Sequence, residues 1–144
     1  MNDTFRPHGR ASFRIVGPIV VMHVRGPWNA ELVVRSHADL QAALGELQAG
    51  AWGMMVVVQG SALFGPDAMD AIRDVARNET ARMGRVATAW VLGPDVEGAT
   101  LMPGVIESLY GGSDRIRIFE AVQPAEAWLK ERVVAAEGTP SRRS

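Results

Sequence analysis

Cysteine is missing from all 144 positions, which excludes disulfides, thiolate metal sites and cysteine nucleophiles. The chain can therefore work in a reducing compartment. Net charge is nearly absent too: 15 Lys+Arg against 16 Asp+Glu leave −1. No global field follows that would draw in nucleic acid or an anionic membrane. Long hydrophobic runs are also lacking. The longest, such as Met54 to Val58, fall far short of the ~20 residues that span a bilayer. The opening MNDTFRPHGR has no apolar core of the kind a signal peptide needs. The expectation is a soluble cytoplasmic protein with no membrane span and no nucleic-acid partner.

Catalytic and phosphate-binding patterns are equally scarce. Neither G-x-G-x-x-G nor G-x-x-x-x-G-K-[ST] occurs, so no backbone cradle for a nucleotide is predicted. There is no G-x-S-x-G nucleophile turn. His8, His23 and His37 fall on a polar arm, a strand and a helix without metal-ligand spacing. The chain reads as non-enzymatic, with no metal and no cofactor. Lysine occurs only at Lys130, and arginine carries the remaining positive charge. With abundant alanine and glycine, that bias suggests a GC-rich bacterial genome.

What is present is a domain-sized set of apolar residues. At this length roughly 70% of the unfolded chain's surface can be buried, and 47% hydrophobic residues supply a core. Residues 1–9 read as a flexible N-terminal arm, 10–136 as one domain and 137–144, with Gly138 and Pro140 as breakers, as a disordered tail.

Within the domain, Phe13 and Ile15 alternate with Ser12 and Arg14, and Val20, Met22 and Val24 with Val21, His23 and Arg25. Gly17-Pro18 between them marks a tight turn, predicting an antiparallel hairpin. Asn29 is placed to cap a helix whose stripe is Val33, Leu40, Leu44 and Leu47, with Gly50 and Gly53 ending it. MMVVV reads as a central strand. Pro66 and Asp67 open a second helix carrying Ala68, Ile72, Val75 and Ala76, closed by Gly84. RVATAWVLG is another strand. Thr100 is placed to cap a third helix with Met102, Val105, Ile106, Leu109 and Tyr110 on one face. In RIRIFEAVQPAEAWL, Arg115 and Arg117 alternate with Ile116 and Ile118, as on a half-covered edge strand. Pro124 then opens a last helix, which Trp128 is expected to pack onto the sheet. Strand–helix alternation predicts an α/β domain with a mainly parallel five-stranded sheet, four helices and the first strand antiparallel at an edge.

Three stretches carry a family likeness: IVVMHVRGPWN, MMVVVQGSALFGPDAM and RIRIFEAVQPAEAWL. Their order and spacing over about residues 10–135 resemble the SpoIIAA-like fold of STAS domains, shared also by lipid-binding CRAL-TRIO domains. The likeness implies a regulatory or adaptor domain acting through protein–protein interaction. The alternative it implies is a carrier or sensor of a small lipophilic ligand, admitted between helices bearing Met69, Met83 and Met102. Anti-sigma factor antagonists of that family carry a phosphorylatable Ser at the start of the second helix. Here the stretch reads Phe64-Gly65-Pro66-Asp67, without a hydroxyl. Asp67 puts a permanent negative charge there, and Ser61 lies earlier in the loop.

Parallel strands place their following loops at one rim, where ligands of open α/β sheets bind. That rim collects Trp28, Asn29, Gln59, Ser61, Phe64, Asp67, Asp95 and Glu97. Trp28, Asn29, Gln59, Ser61, Phe64 and Asp67 are the candidate ligand- or partner-binding residues; ordinary turns with the two rings tucked over helix ends are the simpler account. If all helices cover one sheet face, the other presents Arg14, Val21, His23, Arg25, Trp90, Arg115 and Arg117. That face is expected to serve a homodimer or a partner, or else to be solvated or covered by the N-terminal arm.

Overall fold

The computed structural model describes residues 10–26, 28–44, 50–82, 84–109 and 115–137. The predicted arm 1–9 and the tail beyond Glu137 lie outside these, as do His8, Leu47, Met83, Tyr110 and the stretch 111–114. The elements run β1 (Arg10–Val16), β2 (Ile19–Arg25), α1 (Ala30–Leu44), β3 (Trp52–Gln59), α2 (Pro66–Arg82), β4 (Arg85–Leu92), α3 (Met102–Leu109), β5 (Ile116–Phe119) and α4 (Val122–Glu137). They form one five-stranded sheet in the order β1-β2-β3-β4-β5. β1 is antiparallel to β2 and the other pairs are parallel. The α/β form expected from the sequence, with its antiparallel edge strand, is therefore the form adopted. The hairpin closes at Gly17, whose φ of 60° lies where a side chain would be strained.

Sequential order fixes the helix layer. α1, α2 and α3 each join neighbouring parallel strands, and right-handed crossovers of that kind stack on a single face. Val20, Met22, Met54, Val56 and Trp90 meet Leu32, Leu40, Ile72 and Ile106 there. α4 has no strand after it, so no crossover rule binds it. It lies on the opposite face, where Ala125 and Leu129 pack with Met55, Ala87, Ala89 and Val91.

This corrects several expectations. The second face is not open: α4 covers its middle, which removes the basis for a homodimer across the whole face. Trp90 belongs to the three-helix side. What stays uncovered is a groove of about 270 Å³ between α4 and the hairpin, lined by Arg14, Val21, His23, Val57, Val122 and Glu126 among others. Trp128 packs against the seam between α4 and the sheet, as expected, but from its margin. It is half-buried against Phe119, ring centroids 5.7 Å apart, while Leu129 is 0% exposed. Pro124 sits inside the first turn, because the helix already begins at Val122; there a missing N–H costs no helical bond. Gly53 lies within β3 and ends no helix. A Cβ at Gly53 would come 3.1 Å from Leu129 Cδ2, so its bare backbone makes room for α4.

A further device interrupts β4. Trp52 pairs with Arg85 and Gly53 with Ala87, leaving Val86 as the extra residue of a β-bulge. Bulges re-aim side chains. Here the bulge puts Arg85 on the three-helix face, where it is only 4% exposed.

Candidate functional site

The parallel strands β2, β3 and β4 end at one edge, and their following loops meet there as the sequence predicts. Backbone bonds knit them together. Gly26 N–H donates to Gln59 O at 3.1 Å, Trp28 N–H to Leu63 O at 3.2 Å, Ala62 N–H to Glu97 O at 2.8 Å and Glu97 N–H to Gly60 O at 2.9 Å. Two isolated parallel bridges result, Trp28 with Phe64 and Ser61 with Glu97. The loops thus continue the sheet by short steps, and their backbone groups are satisfied by one another.

The six candidate residues divide sharply within this frame. Asn29 caps α1: its Oδ1 accepts the Leu32 N–H at 2.8 Å. Asn29→Ala should lower stability by about 1 kcal/mol, read as a shift in the urea midpoint at unchanged slope. Ser61 is 4% exposed, and its Oγ accepts the Leu63 N–H at 3.1 Å; the hydroxyl shapes the loop from inside. Trp28 turns inward and is 7% exposed. Its ring meets Trp90 at 5.7 Å and Phe64 edge-on at 6.3 Å. Phe64 is half-buried, and Gln59 and Asp67 are exposed. Asp67 lies in the first turn of α2, where the helix dipole favours a carboxylate.

The outward surface of the rim therefore includes Asn29, Gln59, Phe64 and Asp67, joined by Asp95 and Glu97 on the third loop, both exposed. Leu101, at the end of that loop, is 67% exposed and was not singled out from the sequence. Its signal was available: it is apolar yet precedes the α3 stripe of Met102, Ile106 and Leu109. Among the described residues no group of His, Asp and Glu is arranged to hold a metal ion. No described helix is long and apolar enough to cross a membrane.

No protein-family model matches the chain, and no curated protein matches its sequence.

Beneath the rim lies a cavity of about 50 Å³ between the sheet and helices α1 and α2. Trp28, Met22, Val33, Leu40, Met54 and Ile72 line it, and its polar wall residues are Ser36, His37 and Arg85. The buried Nε1 of Trp28 has no hydrogen-bond partner. Arg85 donates from one guanidinium nitrogen to Met54 Sδ at 3.3 Å. Sequence reading missed Arg85 because only the bulge turns it inward, and a bulge is set by pairing with β3.

Proposed function

We propose that this chain is a non-enzymatic regulatory or adaptor domain, similar to STAS proteins, that docks a protein partner through the rim around Gln59–Asp67. The observation that supports this best is the set of backbone bonds tying the three loops together. A surface preset in this way loses little conformational entropy when a partner binds. Phe64 offers a partly exposed aromatic anchor. Asp67, Asp95 and Glu97 surround it with carboxylates that favour a basic partner surface and discourage an acidic one. The helix start that carries the family's serine holds Pro66-Asp67 instead. Docking here is accordingly constitutive at that position, with Asp67 supplying a fixed charge.

Affinity capture from cells of the source organism tests the reading. The unaltered protein should retain a defined partner. Phe64→Ala should weaken it by ~2 kcal/mol, about thirtyfold in Kd, while far-UV circular dichroism stays unchanged. Asp67→Lys should weaken it further at low salt than at high salt. A partner held equally well by all three proteins refutes the rim as the docking surface.

A further inference from the structure

We infer that this chain forms a twofold dimer through the free edge of β1, with Phe13 of the two copies opposite each other at the centre. That edge is separate from the loop rim, so the inference goes beyond the docking reading and does not rest on it. β1 stands at the end of the strand order. Among the described residues, the backbone bonds made outside helices and strands include none to Arg10–Val16.

The direction of the sheet's hydrogen bonds shows which groups point outward. Gly53 N–H donates to Pro18 O at 2.9 Å, with Ile19 in register with Gly53. A parallel ladder continues by alternate residues, so the even-numbered residues of β2 bond to β3. Ile19, Val21, His23 and Arg25 then bond to β1, where their partners are Val16, Arg14, Ser12 and Arg10. The N–H and C=O groups of Ala11, Phe13 and Ile15 are left on the outer edge. Their side chains are half-buried and pack against the three-helix core, so an apolar row runs along the edge.

Native sheets protect such edges by shortness, bulges, proline or charge. The opposite edge strand, β5, has only 4 residues. β1 has 7 residues and no proline, and it pairs with β2 without a shift in register. Its charges, Arg10 and Arg14, lie on the other face from the apolar row, and they select a register. A twofold axis sets two copies of the edge antiparallel, so the strand must complement itself. Centring on Ser12 would put Arg10 opposite Arg14 of the second copy. Centring on Arg14 would put it opposite itself. Like charges directly opposed are destabilising. Centring on Ala11 or Ile15 leaves most of the strand unpaired. Centring on Phe13 pairs all of β1, with Arg14 opposite Ser12 and Arg10 opposite Val16. It also joins the outward groups to one another, Phe13 to Phe13 and Ala11 to Ile15, for about six backbone bonds. The two apolar rows then meet on the helix-covered side, with an aromatic pair at their centre. RASFRIV thus fits a second copy of itself in a single register.

The seam is narrow, so the association is of the weak class, and the test runs to high concentration. Sedimentation velocity of the full chain from micromolar to millimolar should show a monomer–dimer equilibrium. Ala11→Pro removes an N–H that faces outward and that the hairpin does not use. It should raise the dissociation constant at least ~10-fold, while dilute protein melts as before. The register is read separately. The chain has no cysteine, so thiols can be placed singly. Ala11→Cys mixed with Ile15→Cys should give a cross-linked dimer on mild oxidation, because residues opposed in a bonded pair lie ~5.5 Å apart, within disulfide reach. Neither variant alone should cross-link, since each thiol and its own symmetry mate are offset along the seam. A monomer at every concentration would leave the edge to residues 1–9 or to another protein and overturn the inference. Unweakened association of Ala11→Pro, or cross-linking that does not require the mixture, would overturn it too.

Discussion

Gly26→Ala should destabilise the protein by at least ~3 kcal/mol and abolish docking at the rim. A Cβ built at Gly26 would stand 2.0 Å from the backbone oxygen of Ser61 and 2.8 Å from Cδ1 of Trp28. The first neighbour is main chain, so no rotamer change relieves the clash. It can be relieved only by parting the first loop from the second. That movement strains the bond from Gly26 N–H to Gln59 O and its neighbour from Trp28 to Leu63. Overpacking typically costs ~1–3 kcal/mol, and each strained backbone bond adds about 1 kcal/mol. In a domain of this size the melting midpoint should fall by roughly 6–12 °C. Gly65→Ala is the control. Gly65 sits in the same rim, its added Cβ meets nothing within 4 Å, and its φ is not positive. It should melt within a degree or two of the unaltered protein. Equal melting of Gly26→Ala and Gly65→Ala would show that the close approach of the two loops does not hold the rim together.

Leu129→Ala should cost ~2–5 kcal/mol, the second large effect. Leu129 is fully buried and packs α4 over Gly53, with Met55, Ala87 and Val91 around it. Few long side chains share the load on this face, because the facing β4 residues Ala87 and Ala89 are small. Removing the leucine leaves a cavity that α4 can close only by sliding along the sheet. Trp128→Ala should cost less, ~1–2 kcal/mol. The indole is only partly buried, at the margin of the cluster under α4, and what is lost is chiefly its contact with Phe119 at 5.7 Å and with the Arg132 guanidinium over its ring at 5.4 Å. Urea denaturation of the two variants side by side measures the difference. The reverse order of costs would mean that the aromatic pair, and not the aliphatic seam, anchors the helix.

The rim shows how legible a site of this kind is. That Trp28, Asn29, Gln59, Ser61, Phe64 and Asp67 come from loops meeting at one edge follows from strand direction alone, and the sequence pattern already specifies strand direction. Which of them faces outward does not. Trp28 and Ser61 turn inside because the loops continue the sheet's pairing for a few residues, and pairing alternates the two sides of the backbone. No local pattern of residues announces that continuation. Asn29 was readable as a cap because capping is settled within four residues. Leu101 could have been found by asking which apolar residue fell outside its helix stripe.

Local periodicity, turn chemistry and caps were enough to establish the number, type and order of the elements and the antiparallel hairpin at one edge. Those features depend on neighbours a few residues apart. The tertiary structure alone decided the sequential strand order that puts α1, α2 and α3 on one face, that α4 covers the opposite face, that Gly53 makes room for Leu129, that a bulge at Val86 turns Arg85 inward and that Trp28 becomes a wall of a cavity. Each of these is set by register or contact between segments far apart in the chain, where a shift of one residue exchanges the two faces of a strand.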